Sequence, residues 1–374
     1  MYKFGSITSH LSLRDKIFAL DLYVVFGVFI LGIISCFAMY STDAGTFSYH
    51  TKSHIVRFFV FFTLFFFISF TRISFWYNST TIIYILFFLL LVLVKYFGLT
   101  SSGSKRWLGL YFLNLQPSEL MKIGLILFLA KYYHKISPGD VNRIKYLIQP
   151  IIALLIPVIL VITQPDLGTA FLIAAGGVTV VWLAGVKMKF FAYLSVLFLS
   201  ITPIAISFLK PYQKSRILTF FNPERDPLGA GYQIIQSKIA VGSGGIFGKG
   251  FLKGSQSYLD YLPEKHTDFI FTLFSEEFGF VGSLSLLLIY ILIIYRVIKI
   301  GSQAKSNFAR LYCFSFAVAF FIYVAVNMSM VLGLLPIVGA PLPIMSYGGS
   351  AMLALMIGFG IVMSCKIYNQ EEVI

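Results

Sequence analysis

Long apolar runs separated by short polar connections make up almost the whole chain. Runs that can cross a hydrocarbon core of about 30 Å, which takes roughly 20 helical residues, lie near 18 to 40, 56 to 71, 80 to 98, 118 to 133 and 147 to 163. They recur near 167 to 186, 191 to 209, 269 to 295, 311 to 335 and 351 to 366. The pattern predicts an all-α polytopic membrane protein of about ten transmembrane helices, forming one integral membrane domain over residues 1–374. The second run is short and is expected to begin a few residues earlier. No repeat of fixed period and no low-complexity tract interrupts the pattern.

Cations in the short connections orient the bundle. Lys3, Arg14 and Lys16, then Arg72, then Lys131, Lys135, Arg143 and Lys145, then Lys187 and Lys189, then Arg296, Lys299, Lys305 and Arg310 mark the cytoplasmic side. Both termini fall on that side. The outward connections are then 41 to 55, 99 to 117, the corner Gln164 to Asp166, a large excursion at 210 to 268 between the seventh and eighth helices, and 336 to 350. Glycines and amphipathic stretches in the large loop, "GYQIIQSKIAVGSGGIFGKGF", suit short interfacial helices that pack back on the bundle.

Composition agrees with this picture. The chain is 58% hydrophobic and 12% charged, with a mean hydropathy of +0.86, a balance that excludes an ordinary soluble surface. A net charge of +14 could suggest nucleic acid, but the cations are scattered through loops instead of forming one basic face, so no nucleic-acid partner is expected and anionic membrane lipids are. Cys36, Cys313 and Cys365 lie in apolar stretches and offer neither a disulfide framework nor a zinc spacing. The N-terminal run reads as a retained first helix and not as a cleaved signal.

Ionisable residues gather on three outward segments. In "SKRWLGLYFLNLQPSELMK", Pro117 sits where a helix would begin, and Glu119 and Lys122 share one helical face. In "TQPDLGTA", Gln164, Asp166 and Thr169 bracket a helix start, as a cap, as part of a cavity, or both. In "LPEKHTDFIFTLFSEEFGFVG", Asp268 stands last before an apolar run, where an N-cap and a catalytic carboxylate are both open readings. Of Glu276 and Glu277, two turns into that run, at least one should face the bundle interior. The loop "LPIVGAPLPIMSYGGSAML" reads as a broken connection lining a cavity or as a tight turn. His10, His50, His54 and His134 lack ligand spacing and read as solvated surface residues. No Walker sequence, dinucleotide fingerprint, HExxH or nucleophile elbow is present.

Taken together, "RWLGL…QPSELMK", "QPDLGTA", "GYQIIQSKIAVGSGGIFGKGF", "LPEKHTDFIF…EEFGFVG" and "PLPIMSYGGS" resemble the SEDS family (shape, elongation, division and sporulation proteins), in order and over nearly the whole chain. The stretch "KGSQSYLDYLPEKHTDFIF" is more similar to the rod-shape elongation branch than to the division branch. The resemblance implies a peptidoglycan glycosyltransferase that polymerises lipid II at the outer face of the bacterial cytoplasmic membrane. It also implies a class B penicillin-binding protein as crosslinking partner within the elongation machinery. Carried over by position, the family's essential aspartate falls on Asp268, its motif tryptophan on Trp107, and its cavity carboxylate and lysine on Glu119 and Lys122.

That chemistry joins a sugar hydroxyl to an anomeric carbon with inversion, and it asks for a base near the attacking oxygen and cations near the departing diphosphate. Asp268 is the candidate general base. Arg106, Lys122, Lys238 and Lys265, together with Lys105 and Arg216, are candidate diphosphate contacts. Trp107, Gln116, Ser118, His266 and Ser346 complete the candidate substrate-binding set. Glu119 is a candidate ligand for a divalent cation, Mg2+ or Mn2+, or else orients Lys122. The rival reading is a lipid II flippase or another transporter of lipid-linked sugars. Against it, the polar residues collect on one side of the bilayer and no half-repeat is evident.

Overall fold

The structure, a computed structural model, describes residues 12–101, 104–110, 113–207, 211–226, 229–254 and 264–372. After a short helix α1 (Leu13–Phe18) come α2 (Leu22–Thr42), α3 (Tyr49–Ser69) and α4 (Ile73–Phe97). The strands β1 (Leu99–Ser101), β2 (Ser104–Leu110) and β3 (Leu113–Leu115) lead into α5 (Pro117–His134), α6 (Ile144–Thr163), α7 (Leu167–Leu183) and α8 (Met188–Ser207). Two shorter helices, α9 (Pro211–Phe221) and α10 (Ala230–Ser243), precede α11 (Ile270–Gln303), α12 (Asn307–Val331) and α13 (Gly349–Ile367).

Ten of these helices occupy the ten predicted runs. By length and composition, α2, α3, α4, α6, α11, α12 and α13 can each cross a membrane. Of the other three, α7 and the apolar part of α8 are shorter, and α5 carries Glu119, Lys122 and Lys131 within its 18 residues. Phe59, Ile82 and Phe198 are among many large apolar side chains exposed on the outside of the bundle, a surface that suits hydrocarbon and not water. The most enclosed helices are α5, α12 and α13.

Local chemistry sets the helix starts. Pro117 stands in the first turn of α5, where its missing N–H costs nothing. Asp21 caps α2 by accepting from Val24 N at 3.3 Å, and Asp166 caps α7 by accepting from Thr169 N at 3.1 Å. Helix α3 starts at Tyr49, earlier than the apolar run, because its first turns bury polar Thr51 and His54. Asp268 is not an N-cap: α11 begins two residues later, and its cap residue Phe269 makes no side-chain cap bond.

Two features depart from a plain helical bundle. The connection after α4 forms a three-stranded antiparallel sheet in the order β1-β2-β3, with Leu99 opposite Trp107 and Leu108 opposite Leu115. Helix α11 is broken at Gly279, which adopts φ 63° and ψ −160°. The segment after α10 replaces the lost helical partners. Phe280 N donates to Gly245 O at 2.9 Å and Val281 N to Ile246 O at 3.0 Å, while Lys249 N donates to Glu276 O at 3.0 Å and Gly250 N to Glu277 O at 2.9 Å. Irregular backbone at this depth survives because protein, not lipid, satisfies it. Both glutamates beside the break are buried. Glu276 pairs with the Lys249 ammonium at 2.6 Å, and Glu277 accepts from the Ser41 hydroxyl.

Candidate active site

Successive helices alternate in direction, so the ends of α2, α4, α6 and α12 and the starts of α3, α5, α7, α11 and α13 meet at one end of the bundle. The three polar segments converge there. Asp268 sits on the turn before α11, held by its backbone: Asn327 Nδ2, on α12, donates to Asp268 O at 2.9 Å and to Ala340 O at 2.6 Å. The neighbouring Thr267 O accepts from Ser346 Oγ at 2.6 Å, and Ser346 Oγ accepts from Leu342 N at 2.7 Å. The hydroxyl of Ser346 thus clamps two backbones and positions the carboxylate segment. Gly339 turns at φ +71° so close that a Cβ there would lie 3.7 Å from Asp268 Oδ2.

Asp268 as a residue is half-buried, and protein crowds round its carboxyl. Burial pushes it up to about 7, Glu264 and Asp166 add to the rise, and the guanidinium groups of Arg216 and Arg106 oppose it. A carboxylate with this proton affinity is a stronger base than a solvated one.

Arg106, on β2, donates to Pro165 O at 2.6 Å and lies 3.7 Å from Asp166 Oδ2. Gln116 Nε2 donates to the same Asp166 oxygen at 3.1 Å, and Gln116 N donates to Ser350 Oγ at 2.8 Å. Asp166 is therefore both helix cap and hub. Arg216, on α9, donates to Ile337 O at 3.1 Å. Arg106, Asp166 and Arg216 line a cavity of about 230 Å³ with Gln213 and Val338. A larger cavity, about 500 Å³, opens at the opposite end beside Asp21, Arg296 and Lys366. Its Asp21 is held by Arg296 and its Lys366 by Gln303, far from Asp268. Arg216, Arg106 and Asp166 of the smaller cavity instead act electrostatically on Asp268, so the smaller one is the better chemical candidate.

Deeper along α5, Lys122 Nζ lies 2.7 Å from Glu119 Oε2, both largely buried. The ammonium also sits 4.0 Å from the centre of the Tyr323 ring, and the Tyr323 hydroxyl donates to Glu119 at 3.3 Å. This set does not fit Mg2+ or Mn2+, which want several oxygen ligands. It offers one carboxylate, already matched by an ammonium, beside a space of only about 30 Å³.

The other predicted residues are spread around this core. Trp107 is half-buried on β2, and Ser118 is buried in the first turn of α5. Lys238 is exposed on α10, its stem lying over Gly333, at the start of the loop whose Ile337 O anchors Arg216. Lys265 and His266 are half-buried in the turn before Asp268. His266 has Nε2 3.8 Å from Asp43 Oδ1 and its ring stacked on His50. Of the histidines read as surface residues, His50 is exposed, whereas His54 is buried and bonded to Ser35 and the half-buried His134 accepts from Phe308 N through Nδ1 at 3.2 Å. His10 lies outside the described residues. Asn327 and Tyr323 escaped the sequence reading. The rule that polar groups inside apolar spans serve a purpose would have singled out Asn327.

A many-helix membrane protein with carboxylates and arginines converging at one end of its bundle is the class that fold and site define. The sequence model of the FtsW/RodA/SpoVE family, described as "Cell cycle protein", matches residues 14–371, and the chain belongs to that family, the SEDS family. It is 46% identical over 290 residues to the peptidoglycan glycosyltransferase MrdB of Escherichia coli K12, covering 77% of this chain and 78% of that one. Stage V sporulation protein E of Bacillus subtilis is 35% identical, over 78% of this chain and 80% of its own. Among solved structures, a chain reported under the heading of polymerization and crosslinking by a peptidoglycan synthase complex superposes with TM-score 0.79 at 31% identity, covering 94% of this chain and 99% of that chain. Rod shape determining protein RodA of Thermus thermophilus follows at TM-score 0.71 and 26% identity, over 94% and 98%.

Proposed function

We propose that this protein is a peptidoglycan glycosyltransferase of the elongation type that polymerises lipid II at the outer face of the bacterial cytoplasmic membrane, with Asp268 as general base. The supporting observation is the placement of Asp268: a carboxylate of raised proton affinity, fixed by its backbone, with arginines on one flank. The acceptor sugar's hydroxyl oxygen attacks the anomeric carbon of the donor from the face opposite the diphosphate. A new C–O bond forms as the bond to the diphosphate breaks, Asp268 takes the hydroxyl proton, and the lipid diphosphate departs with the bonding electrons. Arg106 and Arg216 supply positive charge where negative charge develops. Glu119 holds Lys122 in place, and no step runs through a metal.

The outward placement of the site rests on the cation-rich connections at the opposite end of the bundle, and ten spans follow from the same alternation. Similarity to MrdB and to a chain of a synthase complex supports the elongation role and a penicillin-binding protein as partner.

Purified protein in liposomes, given lipid II alone and with the partner, tests the reading. Glycan strands are expected, and Asp268→Asn should slow their formation about 100-fold or more while folding normally. Lipid that is translocated but never polymerised would instead make the protein a flippase, and an active Asn variant would remove Asp268 from its role.

A further inference from the structure

On the other flank of Asp268, the loop between α2 and α3 meets the turn before α11, and three metal-ligating groups gather there. One ligand atom each from Asp43, His50 and His266 lie within 4.8 Å of one another. Asp43 Oδ1 and His266 Nε2 are 3.8 Å apart, and the two imidazoles stack with centroids at 4.8 Å and planes 17° apart. We propose that Asp43, His50 and His266 form a binding site for a transition-metal dication, zinc by ligand type, separate from the Glu119–Lys122 pair.

The ligand set is that of a three-residue zinc site with an open position, two neutral imidazoles and one carboxylate plus water. Magnesium and calcium prefer oxygens throughout. Ligands on one zinc at about 2.0–2.2 Å lie roughly 3.3–3.6 Å apart in a tetrahedron, so the Asp43–His266 distance is already close. His50 is exposed at the start of α3, and rotation of its ring aims a nitrogen at the ion and closes the remaining gap.

The surroundings are those of an oriented site. Asp43 Oδ2 accepts from Thr51 N at 3.1 Å and from the hydroxyls of Ser48 and Thr51. Those donors fix the carboxylate and leave Oδ1 turned to the histidine, as outer-shell partners do around metals. The backbone of His266 is held in turn, its O accepting from Tyr347 N at 2.8 Å. Tyr347 also meets His50 edge-on at 5.2 Å, while Arg57 rests over the same tyrosine ring at 5.1 Å. A bound ion would staple the α2–α3 loop to the segment that carries Asp268.

The test uses the full-length protein without a polyhistidine tag, in detergent and stripped by chelator. Equilibrium dialysis should find one Zn2+ per chain, undisplaced by excess Mg2+, and Co2+ should give the visible absorption of a tetrahedral site. His50→Gln, a change at an exposed position, and Asp43→Asn should each weaken binding by about tenfold or more. Zn2+ should raise the melting temperature of the wild type and not of His50→Gln. Wild type that takes up no stoichiometric Zn2+, or His50→Gln that binds as tightly as wild type, overturns the site. The readout is binding without turnover, so it stands apart from the glycosyltransferase reading.

Discussion

Asn327 governs where Asp268 sits more than any residue next to it in sequence. Its amide bridges Asp268 O and Ala340 O in a fully buried position, and its removal leaves two carbonyls unpaired, at about 1–3 kcal/mol for each buried group so orphaned. Asn327→Leu should lower the thermal midpoint and cut the polymerisation rate at saturating lipid II by more than about tenfold, since a displaced base of about 1 Å suffices. The apparent KM should move less than the rate, because Arg106 is held by Pro165 O and Asp166 and not by that amide; a variant of unchanged rate would show that the Asp268 turn is fixed otherwise. Asp268, Glu119 and Lys122 are legible in the sequence because ionisable groups beside apolar runs are conspicuous. Asn327 is hidden, as one amide hardly alters the hydropathy of a 25-residue helix and its partner lies in a distant segment. The Asp43, His50 and His266 cluster is hidden for a related reason. Its members belong to two segments distant in sequence, brought together where α2 packs against α11.

At the level of elements, the break in α11 has a specific sequence requirement. Gly279 holds a left-handed φ of 63°, and a Cβ there would come 2.3 Å from Gly248 N. Gly248 is the reciprocal half of the contact, with φ +82° and a Cβ position 2.1 Å from Glu277 O. Gly279→Ala meets both a strained backbone of about 1–3 kcal/mol and a clash with main chain that cannot swing aside. Thermal unfolding in detergent should show Gly279→Ala and Gly248→Ala destabilised together, with the double variant little worse than either single one, since both disrupt one joint. Additive losses would mean that the two glycines act separately. The sequence reads this region as one continuous span because hydropathy registers side chains and is blind to where backbone hydrogen bonds go. The strands at 99 to 115 are missed similarly, as runs of three to seven residues fall below what a membrane-scale window resolves.

For the molecule as a whole, the decisive property is which end of the bundle faces out. Every group given a chemical role lies at the end where α2 stops and α3 starts, while the connections bearing Arg72, Lys135, Arg143, Lys187 and Lys305 lie at the other. A polyprenyl diphosphate presents sugars to water and its tail to hydrocarbon, so a polymerase needs its carboxylate where the bundle meets the outer aqueous phase. Two exposed positions report the ends, Thr46 beside the Asp268 end and Gly139 between α5 and α6. The native cysteines, Cys36 half-buried and Cys313 and Cys365 buried, give little background to a membrane-impermeant thiol reagent. In intact spheroplasts Thr46→Cys should label at once and Gly139→Cys only after the membrane is breached. The reverse pattern would place Asp268 in the cytoplasm and rule out polymerisation at the outer face, whatever the activity in liposomes, where both orientations are present. Labelling of Thr46→Cys from outside would put the proposed zinc ligands in the same compartment, where the ion's supply, and not the cytosolic pool, would set their occupancy.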